Sequence, residues 1–75
     1  AIDIFYDIYV DPNATVTLQG KSLKRAAITL SQYDDYERVL GALTDVFGAY
    51  NDKIIDENYC SKIVRKMMLN IRNIY

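Results

Sequence analysis

Hydrophobic and polar positions alternate at the start of this chain. Ile2, Ile4, Tyr6, Ile8 and Val10 fall on one side of an extended segment, and Asp3, Phe5, Asp7 and Tyr9 on the other. A period of two carried by β-branched and aromatic residues predicts a strand. Asp11-Pro12-Asn13-Ala14 supplies turn chemistry, with Asp11 suited to the first position and Pro12 to the second. Thr15–Gln19 then reads as a return strand with Val16 and Leu18 on one face, so the first twenty residues form a β-hairpin. Gly20 permits the change of direction that follows. Ser22–Leu30 is a third extended segment, with Ala26, Ile28 and Leu30 facing a core and Arg25, Ala27 and Thr29 facing away.

The pattern then changes to helical spacing. Ser31 and Asp34 have capping-box spacing, and Tyr36, Val39, Leu40, Leu43, Val46 and Phe47 recur as one face, with Gly48 as a C-terminal cap. Across Ala49–Glu57, Asn51 and Asp52 favour a turn, while Ile54 and Ile55 are able to begin a helix. From about Asn58 to Tyr75 a second amphipathic helix carries Ile63, Val64, Met67, Met68, Ile71 and Ile74 in one stripe, and Lys62, Arg65, Lys66 and Arg72 mostly off it. The predicted class is therefore α+β: one domain over 1–75, made of an acidic hairpin (1–20) and a strand-helix-helix unit (22–75).

Size and cysteine content narrow the options. A chain of 75 residues buries only about 60% of its unfolded surface, and small cores are often completed by a disulfide, a metal or a partner. With one cysteine, Cys60, and no histidine, neither an internal disulfide nor a zinc site is expected, which favours self-association. Cys60 reads as a small buried apolar residue. No apolar run reaches the ~20 residues of a membrane span, and no signal-peptide pattern opens the sequence, so an intracellular, cytoplasmic, soluble protein is expected, with a viral or plasmid origin compatible with the size.

Net charge is −1, but its distribution is uneven. Asp3, Asp7 and Asp11 precede Lys21 without a basic residue. Lys21, Lys24 and Arg25 form a basic cluster, acids dominate from Ser31 to Glu57, and Lys62, Arg65, Lys66 and Arg72 follow unopposed. Such segregation creates a positive face on a nearly neutral molecule. Catalytic chemistry is scarce: there is no histidine base, no glycine-rich phosphate loop and no nucleotide fingerprint, so no enzyme and no cofactor are expected. As strand residues, Asp3, Asp7 and Asp11 span about 27 Å, too far for one metal ion. Acids beside Tyr6 and Tyr9 disfavour a stacking platform for single-stranded nucleic acid.

From about Lys24 onward the strand RAAITL, the helix SQYDDYERVLGALTDVFG and the segment SKIVRKMML resemble the ribbon-helix-helix family of DNA-binding proteins, including the Arc and MetJ repressors. Ser61, Lys62, Ile63, Val64 and Arg65 fill the family's pattern of Ser, polar, two apolar and basic residues. The resemblance implies a homodimer that pairs Ser22–Leu30 between copies as an antiparallel ribbon, with Ile28, Leu30, Leu43, Ile63 and Met67 in the shared core. It implies that Arg25, Ala27 and Thr29 read bases of double-stranded DNA, while Lys24, Asn58, Ser61 and Lys62 hold phosphate. The implied function is a dimeric, sequence-specific transcriptional regulator. The long acidic hairpin and the long connection between helices depart from the family pattern. The alternative is a small acidic interaction module, such as a phage-encoded inhibitor of a host enzyme, presenting its Asp/Tyr hairpin to a basic protein.

Overall fold

The computed structural model describes residues 2–32 and 35–74, and it replaces the expected α+β architecture with four helices: α1 (Ile2–Val10), α2 (Val16–Leu30), α3 (Tyr36–Asn51) and α4 (Glu57–Ile74). Among the described residues there is no strand. The hairpin of residues 1–20, the third strand and the β-ribbon dimer built on it are therefore all corrected.

The turn between the first two elements is where the sequence placed it, but it joins helices. A residue preceding proline is driven out of the α region, which ends α1 at Val10 just before Asp11-Pro12. The Asp11 carboxylate accepts from the Asn13 amide at 2.9 Å, and the Asp11 carbonyl accepts from the Gln19 side chain at 2.9 Å. Thr15 then caps α2, its hydroxyl accepting from the Leu18 amide at 3.1 Å.

Helix α2 owes its form to a pattern longer than the alternation of Ala26, Ile28 and Leu30. Leu23, Ala26, Ala27 and Leu30 are all buried and lie at i, i+3, i+4 and i+7. Ala27, expected on the outer face, is 0% exposed. Gly20, expected at a change of direction, sits inside this helix. A Cβ there would come within 3.0 Å of the Ile55 side chain, so glycine permits close approach of the segment that leads into α4.

The middle of the chain shifts the expected boundaries. Ser31 is the C-cap of α2 rather than the start of the next helix; Asp35 caps α3, accepting from the Arg38 amide at 3.4 Å. Gly48 lies within α3, which continues to Asn51. After it, Lys53 adopts φ 62°, with its amide donating to the Tyr50 carbonyl at 3.1 Å. A side chain in the left-handed region is strained relative to glycine. Lys53→Gly is expected to raise unfolding free energy by about 0.5–1 kcal/mol in urea titration; an unchanged or lower value contradicts that strain.

Helix α2 is central and touches each of the other three. It runs parallel to α4: Gly20 lies against Ile54, Ile55 and Tyr59, and at the far end Asn70 donates to the Ser31 hydroxyl at 2.8 Å. Ser31 is itself fully buried and donates to the Ile28 carbonyl at 2.7 Å, so its polar group is satisfied where it leaves water. One core joins Leu23, Val46, Ile63 and Met67, each fully buried and contributing about 1.5–3 kcal/mol. Of the residues expected to make a dimer core, Leu30, Ile63 and Met67 are buried inside one chain and Leu43 packs against the same core, whereas Ile28 is half-buried and lines an open groove.

A candidate basic surface on α2 and α4

Helix α2 contains Lys21, Lys24 and Arg25 and no acidic residue. Because its apolar positions at 23, 26, 27 and 30 turn inward, Lys21 and Arg25 turn outward and are exposed. Lys24 is half-buried on the flank towards α4. Its ammonium lies 5.6 Å from the centre of the Tyr59 ring, a cation–π contact that fixes both side chains. Lys21, Lys24, Arg25, Ile28, Thr29 and Tyr59 together line an open groove of about 520 Å³.

Helix α4 extends this surface. Asn58, Ser61, Lys62, Arg65, Lys66 and Leu69 line a second depression of about 350 Å³. Asn58 in one depression adjoins Tyr59 in the other. Six cations from two parallel helices thus border adjoining hollows, while Glu57 in the first turn is the only acid on α4. Acids elsewhere lie on α1, on α3 and in the connections.

The expected site residues are divided by this arrangement. Lys24, Arg25 and Thr29 are gathered in the groove, and Asn58, Ser61 and Lys62 in the second depression. Ala27 is excluded from any surface by its complete burial, so its expected contact with bases is corrected. Tyr59, read from sequence only as a residue at the core's edge, is the added member. Its four-residue spacing to Ile63 and Met67 reported that edge position, but its pairing with Lys24 depends on helix packing.

The first turn of α4 is a poor phosphate holder despite its helix dipole. The Asp56 carboxylate already accepts from the Tyr59 amide at 2.7 Å, and Glu57 adds further negative charge. The cations on the helix flank are the better place for an anion.

Helix α1 lies against α2, its Phe5 and Ile8 sharing a hollow with Lys21 and Arg25, and its tyrosines reach α3. The Tyr9 hydroxyl donates to the Asp45 carbonyl at 3.4 Å. Burial, with the nearby negative charge of the Asp45 carboxylate, pushes the Tyr6 phenol up to about 12 from its ordinary 10.0. Burial likewise raises the phenols of Tyr9 and Tyr59 and the Cys60 thiol, which suits a buried cysteine rather than a nucleophile. A folded phenol that holds its proton more tightly than the unfolded one stabilises less as pH rises from 10 towards 12. The urea midpoint is expected to fall across that interval, and less steeply in Tyr6→Phe. Equal slopes in the two proteins would contradict the Tyr6–Asp45 contact.

Asp3, Asp7 and Asp11, expected to be spread along a strand, are drawn together by the helical rise to about 12 Å from first to last. Among the described residues no group of three His, Cys, Asp or Glu side chains is placed to hold a metal ion. No helix among them is long and apolar enough to cross a membrane.

No protein-family model, curated protein or solved structure matches this chain. The two helices of the ribbon-helix-helix resemblance exist near their expected places, but the strand that would define the family's ribbon is the C-terminal part of α2.

Proposed function

We propose that this chain binds nucleic acid, with double-stranded DNA as the first ligand to test, through the α2–α4 surface and chiefly by phosphate contacts. The observation that carries this reading is the gathering of Lys21, Lys24 and Arg25 with Lys62, Arg65 and Lys66 along two parallel neighbouring helices. Tight clustering of one sign on a protein of net charge −1 leaves the other faces to repel a polyanion and so sets its orientation. Phosphate contacts of this type position a duplex without reading its sequence. The groove's uncharged members, Ile28, Thr29 and Tyr59, then lie against sugar or base edges.

Six phosphate contacts imply a salt slope of about −5 and a loss of about 10³ in affinity between 50 and 200 mM salt. Fluorescence anisotropy with a labelled duplex at several salt concentrations measures both. Affinity independent of salt, or no binding at low salt, removes the proposal.

A second reading is favoured by α1. Asp3 and Asp7 are exposed one turn apart, with exposed Asp11 just beyond the helix, so an acidic stripe faces solvent on the element furthest from α4. This stripe fits a basic protein partner, now as a helix face rather than a hairpin. Asp3→Lys with Asp7→Lys is expected to abolish such binding while leaving DNA affinity equal or higher; parallel loss of both would point to one shared surface.

A further inference from the structure

An exposed apolar surface runs along α3 and α4. Helix α3 sets Tyr36, Leu40 and Phe47 at i, i+4 and i+11, on one flank, and they are 61%, 44% and 50% exposed. Helix α4 sets Val64, Met68 and Ile71 at i, i+4 and i+7; Val64 and Ile71 are half-buried against the core and Met68 is 49% exposed. These helices pack against each other, which makes their flanks one apolar stripe. On α3, Asp45 and Arg38 face α1, where both act on Tyr6; exposed Glu37 beside Tyr36, and exposed Arg72 one turn from Met68, border the stripe.

We infer that this stripe is the docking surface for a second copy of the chain, forming a two-fold dimer of α3–α4 against α3–α4. Two observations select that occupant. The exposed parts of the stripe amount to on the order of 500 Å² per copy, so a pair buries about 1,000 Å², the lower limit for a specific interface. Finally, a two-fold axis sets each residue against its own kind of surface, which is unfavourable for charged patches and favourable for an uncharged one. The homodimer's interface is expected to be the more apolar type.

The pairing differs in kind from the strand ribbon: each copy already has its own core, and the second copy covers an outer stripe. It is separable from nucleic-acid binding, because Lys62 and Lys66 lie on the flank of α4 towards α2, and only Arg65, three positions from Met68, adjoins both surfaces. Sedimentation equilibrium of the full chain, without nucleic acid, tests it. A dimer of twice the chain mass is expected at about 100 µM. Phe47→Glu and Met68→Glu, on different helices, are each expected to raise the dimer dissociation constant at least 100-fold with helical circular dichroism unchanged. Ile4→Glu, on the exposed side of α1, is expected to leave it as it was. A wild-type monomer at that concentration overturns the inference, as does a dimer that both stripe variants retain. Isotope-filtered NMR of the wild-type dimer gives a readout that no variant's folding affects: contacts between Phe47 or Leu40 and Met68 of different copies support the pairing, and their absence overturns it.

Discussion

Ala27→Arg is expected to leave most of the chain unfolded at 25 °C. Ala27 is 0% exposed, one turn from Leu23 and Leu30 in the helix that all others pack against. An arginine there must displace well-packed neighbours, costing about 1–3 kcal/mol, and bury a guanidinium without a partner, costing several more. A chain of 75 residues has only about 4–11 kcal/mol of stability to lose. Leu23→Ala, which removes atoms from the same core, is expected to cost about 2–5 kcal/mol and to remain partly folded. Arg25→Ala, two positions away and exposed, is expected to change stability by less than about 0.5 kcal/mol. Circular dichroism at 222 nm with urea titration separates these cases. Had Ala27 lain on the outer face of a ribbon, arginine would be tolerated there, so a folded Ala27→Arg protein within about 1 kcal/mol of wild type contradicts the helical packing.

The second large effect concerns binding. Arg25→Glu combined with Lys62→Glu reverses one exposed charge in each of the two depressions without touching the core. Two lost phosphate contacts flatten the salt slope by about 2, and two added repulsions lower affinity further, by about 100-fold or more at 50 mM salt. The double variant should keep its helical spectrum and urea midpoint. Retained affinity would show that the α2–α4 surface is not where nucleic acid lies. A matching fall for Asp3→Lys, on α1, would assign the effect to something other than local charge.

Helices α3 and α4 were legible because each repeats its apolar positions at helical spacing over more than two turns. Their errors were local: Asp35 rather than Ser31 caps α3, and glycine at 48 is simply accommodated within it. Pro12 marked a true chain reversal, but a reversal does not say which kind of element it joins. The first two elements were misread for different reasons. In α1, β-branched and aromatic residues happen to alternate over nine positions, yet Ile4 and Val10, placed on the apolar side of a strand, are 60% and 68% exposed. Phe5, Tyr6, Ile8 and Tyr9 are the half-buried residues, and that i, i+1, i+3, i+4 set is helical. Propensity lost to tertiary packing. In α2 the helical signal was present, since Leu23, Ala26, Ala27 and Leu30 follow the 3.6 period; within Ser22–Leu30, Ala26, Ile28 and Leu30 also fit alternation, which leaves Leu23 and Ala27 out of the apolar face.

The basic cluster was visible as charge segregation, and its members survive the change of fold. What sequence order could not give is adjacency. Lys24 and Tyr59 stand 35 positions apart and meet only because α2 and α4 run parallel. The same packing turned Ala27 inward and brought Ser31 to Asn70.

The most direct test of the central claim is an NMR titration of the isotope-labelled chain with a short DNA duplex at low salt. Amide shifts at Lys21, Lys24, Arg25, Tyr59, Lys62 and Lys66, reversed by added salt and weak on α1, are the predicted result. An absence of shifts, or shifts centred on α1 and α3 with α2 and α4 unmoved, would contradict it.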